Sequence, residues 1–144
     1  MVNSKKKGKS FERAAALIIS QLTGQIYRRV PNSGAMATAK QAEGNLYEGD
    51  LFCEQGSPYT IECKITGKYL DLRAIVAGTS PIWKWWAQAK RQANGRQPVL
   101  LFRYRASPIL ALTTEAGDFK KYLTEGIGIV RGEELMLGRL EAKS

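Results

Sequence analysis

Two carboxylates and a lysine near the middle of the chain have the types and spacing of a hydrolytic site. Glu62 and Lys64 lie two residues apart in the segment 59–65, where apolar and polar residues alternate as in a β-strand. This alternation puts both side chains on one face of the strand. Asp50 opens the preceding predicted strand, so a hairpin can bring Asp50 beside Glu62.

Oxygen donors of this kind suit a hard divalent cation. Two carboxylates and a main-chain carbonyl, here that of Cys63, form a site that Mg²⁺ accepts while it keeps several waters. Such an ion could activate a water and neutralise a phosphoryl group, and Lys64 could orient that water or stabilise the transition state. Glu12 is the third candidate carboxylate. A Glu-x-Lys pair also occurs on solvated strand faces, so ordinary surface acids stay an alternative.

The chain has no histidine, which excludes whole classes of chemistry. Serine and cysteine triads, zinc-histidine sites and histidine-metal nucleases all need an imidazole. Catalysis must therefore depend on carboxylates, lysine or a metal ion.

The net charge of +9 favours a polyanionic partner, with nucleic acid ahead of a membrane surface. The charge is uneven, because residues 1–112 carry 17 basic and 7 acidic side chains, whereas 113–144 carry 5 and 6. We expect the binding surface in the first three-quarters of the chain.

The two cysteines, Cys53 and Cys63, provide neither a disulfide framework nor a four-thiolate zinc site. The chain contains no apolar run of membrane-spanning length, and its start does not resemble a signal peptide. We expect no membrane partner and a cytoplasmic setting, which would be the host cytoplasm for a viral protein.

The elements that must position these residues follow from periodicity and stop signals. Residues 1–8, which include Lys5, Lys6 and Lys7, are predicted to form a flexible basic arm. Residues 9–144 are predicted to form a single domain of ordinary size. A helix is predicted from an N-cap at Ser10 to Gly24, with Glu12 at the border of its buried stripe. This predicted stripe consists of Phe11, Ala14, Ala15, Ile18 and Leu22. Further predicted elements are strands at 25–30, 49–53 and 59–65, a helix at 81–93, strands at 98–104 and 109–113, a short helix near 115–124 and a strand near 127–131. The fold class is α/β, a mixed sheet flanked by helices in the order α-β-β-β-α-β-β.

The spacing of these residues resembles the PD-(D/E)xK nuclease superfamily, and within it the archaeal-type Holliday-junction resolvases that also occur in viruses and phages. The likeness covers roughly residues 8–105. Its motifs are Lys9-Ser10-Phe11-Glu12-Arg13, Arg28-Arg29, Ser33-Gly34, Gly49-Asp50-Leu51, Glu62-Cys63-Lys64 and the strand 98–104. Gly49 stands where the superfamily usually has proline, the loop 34–49 is longer than in the short archaeal members, and residues 115–144 match no motif.

The resemblance implies a restriction-endonuclease-like core and a homodimeric, Mg²⁺-dependent endonuclease, with Mn²⁺ as a substitute, that acts in DNA recombination and repair. Such an enzyme cuts opposed strands of a four-way junction and leaves 5′-phosphate and 3′-hydroxyl ends. It implies metal binding by Glu12, Asp50, Glu62 and the Cys63 carbonyl, catalysis by these carboxylates with Lys64 and Ser33, and DNA binding by Arg13, Arg28, Arg29, Arg103 and the lysines at 5, 6, 7 and 9.

Three tryptophans lie on the predicted helix 81–93. Ile82, Trp86, Ala89 and Ala93 share one stripe, so Trp86 is predicted in the core or at a dimer interface. With Trp83 and Trp85 at its flanks, we expect this helix to belong to a self-association patch.

Two alternatives to junction resolution stay open. One is a related nuclease that cuts linear or flapped DNA. The other is a basic, non-catalytic DNA-binding protein, in which the three carboxylates would point to different surfaces.

Overall fold

The computed structural model describes residues 4–31 and 49–142, and it confirms the α/β class. Three helices are described: α1 (Ser4–Thr23), α2 (Leu72–Ala77) and α3 (Pro81–Ala93). The strands are β1 (Tyr27–Arg29), β2 (Leu51–Cys53), β3 (Tyr59–Thr66), β4 (Gln97–Tyr104), β5 (Ile109–Thr114), β6 (Leu123–Val130) and β7 (Glu134–Leu140). A short 3₁₀ helix, Phe119–Tyr122, lies between β5 and β6.

The strands form one mixed sheet in the order β1-β2-β3-β4-β5-β7-β6. Among the paired strands described, β3 and β4 are parallel and all other neighbours are antiparallel. The parallel pair needs a crossover connection, which α2 and α3 provide. This arrangement, with helices against the sheet, is consistent with a restriction-endonuclease-like fold. The candidate residues of β2 and β3 lie next to this parallel pair.

Helix α1 begins at Ser4, so the predicted start at Ser10 is wrong, and residues 4–8 of the predicted flexible arm are helical. The helix ends as predicted before Gly24, which has φ +76° and donates its N–H to Ser20 O. The buried side of α1 also differs from the predicted stripe, because Ala16 and Ile19 are buried. The buried stripe therefore runs close to Glu12.

Two apolar clusters cover the two faces of the sheet. One contains Phe11, Ala15 and Ile19 of α1 together with Tyr59 and Ile61 of β3. The other contains Ile82, Trp86 and Ala89 of α3 together with Leu100 and Phe102 of β4. The alternation predicted for β3 explains this division, since neighbouring residues of a strand face opposite sides.

Helix α3 matches its prediction closely. The Ser80 side chain caps it by accepting the Ile82 N–H, Pro81 is its first residue, and Asn94 ends it in the left-handed region. Its buried residues are Ile82, Trp86, Ala89 and Ala93, as predicted.

The tryptophans of α3 are occupied by contacts within the chain. Trp86 is buried, the Trp83 indole N–H donates to Ile75 O at 2.8 Å, and Arg131 lies over the Trp83 ring at 4.6 Å. Trp85 packs near Phe102. These contacts explain the aromatic surface without a second chain, and the homodimer stays a prediction.

The last third of the chain departs most from expectation. The predicted helix near 115–124 is only the 3₁₀ turn Phe119–Tyr122, the strand near 127–131 is the longer β6, and β7 and α2 were not predicted. Glycines and exposed charges in β6 and β7 weaken the period-two pattern by which strands are predicted. Within residues 4–31 and 49–142, no helix is both long and apolar enough to cross a membrane.

Candidate active site

Asp50 is held by main-chain hydrogen bonds on both of its sides. Its N–H donates to Ile61 O at 2.7 Å, and its carbonyl accepts the Val30 N–H at 2.8 Å. Leu51 pairs with Ile61 across the antiparallel β2–β3 ladder. One step further along this register, Asp50 lies across from Glu62, as the predicted hairpin requires.

Gly49 is the residue that allows this close approach. Its φ is +81°, and a Cβ built on it would lie 2.6 Å from Ile61 O and 3.1 Å from Ile61 N. Any other residue would be strained and would collide with the main chain of β3. This geometry explains a glycine at the position where the superfamily usually has proline.

The Asp50 carboxylate is fixed against the Glu62-Cys63-Lys64 segment. Its Oδ2 accepts the Cys63 N–H at 2.7 Å. A carboxylate that accepts a main-chain N–H is held in one orientation, because the donor cannot rotate away. The structure therefore joins two of the sequence motifs by a direct contact.

Glu62 and Lys64 lie on the face of β3 that is turned towards α3. Thr60, on the same face, donates its hydroxyl to Ala93 O at 3.1 Å. Glu62 is only 3% exposed, whereas Lys64 is partly exposed. A buried carboxylate with a lysine two residues away and Asp50 across the hairpin is the predicted chemical pattern.

Glu12 approaches the site from helix α1. It is 8% exposed, and its Oε1 lies 3.7 Å from Nη2 of Arg29. Burial is the main cause that raises the pKa of Glu12, and the negative charge of Asp50 raises it further. The positive charges of Arg29, Arg13 and Lys9 lower this pKa. Glu12 and Asp50 are therefore close enough for their charges to repel.

The Cys63 thiol lies close enough to the candidate carboxylates and to Lys64 for their charges to change its pKa. Burial raises its pKa well above the usual value, Asp50, Glu12 and Glu62 raise it further, and Lys64 lowers it. The thiol is thus a small apolar group. All three carboxylates and the lysine act on this one residue.

The three candidate carboxylates are not gathered into a ready-made metal-binding group in the described part of the chain. No group of three or more Asp, Glu or Cys side chains there could hold a metal ion. Glu12, in α1, forms an ion pair with Arg29, while the Asp50 carboxylate accepts a hydrogen bond from the Cys63 N–H. The carboxylates of Asp50 and Glu62, with the Cys63 carbonyl, are an all-oxygen donor set of the size that Mg²⁺ uses together with waters and substrate phosphates.

Arg29 brings unsatisfied donors to this region. Its Nε and Nη2 are buried, and they have no hydrogen-bond partner among the described residues. The ion pair with Glu12 at 3.7 Å is too long to be a hydrogen bond. A guanidinium in this state is suited to a bidentate anion such as a phosphate.

The other predicted DNA-binding residues divide into two groups. Lys9, Arg13 and Arg28 are exposed, whereas Arg103 lies beside a separate cleft together with Lys6 and Lys7. Ser33, the loop residues 32–48 and the Lys5 side chain lie outside what the structure describes. Arg105, which the sequence analysis did not select, lines the same cleft. Its only sequence signal is its position two residues after Arg103.

Two comparisons with known proteins identify similar chains. The model of the family described as "Phage putative PDDEXK endonuclease" matches residues 3–126. Protein D14 of Escherichia phage T5 is 31% identical over 107 residues, which are 71% of this chain and 65% of that protein. The chain thus spans just under two-thirds of the length of this relative. No solved structure matches.

Proposed function

Because the chain belongs to the phage PDDEXK endonuclease family, we propose that it is a divalent-metal-dependent DNA endonuclease with its active site at the β2–β3 hairpin. The observation that carries the proposal is the 2.7 Å hydrogen bond from the Cys63 N–H to Asp50. It fixes one candidate ligand beside the Glu62-Cys63-Lys64 segment. The setting we propose is the cytoplasm of the phage host.

The residues have distinct roles in this proposal. Asp50, Glu62 and the Cys63 carbonyl would hold Mg²⁺, or Mn²⁺ in its place, and this ion would supply a water of lowered pKa and positive charge at the phosphoryl oxygens. Lys64 places a positive charge beside the reacting phosphate, and Glu12 adds a further negative group to the site. Hydrolysis would leave a 5′-phosphate and a 3′-hydroxyl.

Arg29 would support the site or hold the scissile phosphate. Its buried Nε and Nη2 donors point to an anionic partner, since an unpaired buried N–H group is costly. Arg13 and Arg28, which are exposed, would contact the DNA backbone. Ser33 is proposed to support the site.

For the substrate we propose branched DNA, with the four-way junction first and linear or flapped DNA as the alternative. The support is the resemblance of the motifs to junction resolvases and a charge of +10 in residues 1–112 (17 basic minus 7 acidic). A homodimer would present two active sites to opposed strands. Binding should depend on phosphate contacts and shape more than on base sequence.

The test compares end-labelled DNA of one sequence as a four-way junction, a flapped duplex and a linear duplex, with Mg²⁺ and with EDTA. Paired nicks near the crossover, dependent on Mg²⁺, would support resolution. Equal cutting of the linear duplex would favour the generic nuclease. Binding without any cutting would favour the non-catalytic DNA-binding protein and contradict the proposal.

A further inference from the structure

A second candidate binding site lies between α1 and the carboxyl ends of β3 and β4. It is a cleft of about 910 Å³, within the range of roughly 300–1,000 Å³ of ligand sites. Three segments line it: α1 between residues 6 and 14, the end of β3 at 65–67, and the β4–β5 turn at 103–106. Neither Glu12, Asp50, Glu62 nor Lys64 lines this cleft.

The charged side chains around the cleft are all basic. They are Lys6, Lys7, Arg103 and Arg105, and no acidic residue lines the cleft. Within the described ranges, none of these four forms an ion pair, whereas Lys90, Lys120 and Lys121 on other surfaces each do. The cleft therefore concentrates positive charge that the described residues do not neutralise, and this favours an anionic ligand.

The two arginines are held in place by the β4–β5 turn. Nε of Arg103 donates to Ser107 O at 2.8 Å, and the main-chain N–H of Arg105 donates to Thr66 O at 3.1 Å. The turn is closed by the Ser107 N–H, which donates to Tyr104 O at 3.0 Å. Arg105 also lies over the Tyr104 ring at 5.3 Å. Positioned guanidinium groups bind phosphate with less loss of side-chain entropy.

Part of the remaining lining is apolar. Ala14 and Ile65, which are partly exposed, border the cleft between the cations, and the buried Phe11 lies behind them. A phosphodiester on the outside of a duplex is polar over its whole contact surface and gains little from such a wall. A nucleotide that is not stacked in a duplex presents both chemistries, a charged phosphate and a flat apolar base.

We propose that this cleft binds an unpaired nucleotide of the DNA strand, with its phosphate at the two arginines and its base against Ala14 and Ile65. The inference rests on the proposed function, because it identifies the ligand as part of the nuclease substrate. The cleft adjoins Thr66, two residues after Lys64, so such a nucleotide would lie near the strand being cut. The enzyme would thus prefer DNA with unpaired bases, as in a flap or where base pairs next to a junction crossover open.

The test measures binding of the full chain in EDTA, where no cutting interferes. Fluorescence anisotropy compares a labelled oligothymidylate with a duplex of equal length. The variant Ala14→Leu fills the apolar wall without changing charge, and Gly67→Leu is a second filling variant, because a Cβ at Gly67 meets no atom within 4 Å. The charge variant Arg103→Gln/Arg105→Gln is matched by Arg73→Gln/Lys121→Gln, which removes two exposed charges elsewhere.

We expect the filling variants to weaken oligothymidylate binding by about tenfold, because the base can no longer bury its apolar surface in the cleft, and duplex binding by less than about twofold. The cleft charge variant should weaken oligothymidylate binding about tenfold or more and lower the salt slope by about 1, unlike its matched control. Unchanged oligothymidylate binding in folded Ala14→Leu and Gly67→Leu proteins would overturn the inference. Equal losses for duplex and single strand, or equally tight binding of thymidine monophosphate alone, would do so too.

The outcome is separable from that of the proposed function. Cutting that requires Mg²⁺ and Asp50, combined with cleft variants that bind like the wild type, would refute the cleft alone. Selective loss of single-strand binding without any cutting would refute the nuclease and leave a single-strand-binding cleft.

Discussion

Cys63 lies at the centre of the candidate site, although its thiol does not carry the proposed chemistry. Its N–H orients Asp50, its carbonyl is a candidate ligand, and the charges of Glu12, Glu62 and Lys64 all act on it. The sequence could predict these neighbours, because strand alternation and a hairpin leave few other arrangements. It could not predict the partners that hold Glu12 and Asp50, since these depend on how α1 packs on the sheet.

Gly49 gives a prediction at this scale, since Gly49→Ala introduces both a strained φ and a collision with Ile61 O. We expect the free energy of unfolding to fall by about 2–4 kcal/mol, measured by urea denaturation. Gly56→Ala is the matched control, because Gly56 has φ +89° but no atom within 4 Å of an added Cβ. It should cost only about 1 kcal/mol. Equal losses in the two variants would contradict the close approach of β2 and β3.

At the scale of elements, capped and strongly periodic segments were predictable and the others were not. Helix α3 has a Ser-Pro start and an Asn-Gly end, which fix its limits from the sequence. Helix α2 has six residues and none of them is buried, so its sequence carries no clear helical stripe. Helix α1 extends to Ser4 because Lys5, Lys6 and Lys7 are adequate helix formers, although they lack an apolar stripe.

Trp86 is 3% exposed in the cluster between α3 and the sheet, so its role belongs to the fold of one chain. Trp86→Ala should lower the free energy of unfolding by about 3–5 kcal/mol. Denaturation at two protein concentrations measures this change. A loss that appears only at the higher concentration would place Trp86 at a dimer interface and contradict the core assignment.

The 3₁₀ helix is tied to β3 by the Tyr59 hydroxyl, which donates to Asp118 Oδ1 at 2.6 Å. This hydrogen bond lowers the pKa of Asp118. A carboxyl with a lowered pKa stabilises the fold above its unfolded pKa of about 3.9, and this contribution is lost as the pH falls through the folded value.

Tyr59→Phe should therefore be less stable than the wild type near neutral pH, and the difference should shrink in acid. Thermal unfolding from neutral pH down to about pH 2 measures it. A difference between the two proteins that is constant with pH would show that the bond does not act through the ionised carboxylate.

At the scale of the whole molecule, strand β3 contributes residues to two regions. The hairpin β2–β3 carries the candidate active site, and the ends of β3 and β4 carry the basic cleft with Arg103 and Arg105. The uneven charge of the chain predicted a basic binding surface but not its shape, because Lys6 and Arg105 are far apart in sequence. The absence of histidine is consistent with chemistry that uses carboxylates, lysine and a metal ion.

The most direct test of the central claim is single-turnover cleavage of labelled four-way-junction DNA in Mg²⁺ by the wild type, Asp50→Asn and Glu54→Gln. Asparagine retains an oxygen that can accept the Cys63 N–H, and Glu54→Gln removes one exposed charge from the same hairpin. We predict that Asp50→Asn binds DNA like the wild type but cuts it at least about 10²–10³-fold more slowly, while Glu54→Gln cuts normally. Cutting by Asp50→Asn at close to the wild-type rate would contradict an active site at the β2–β3 hairpin.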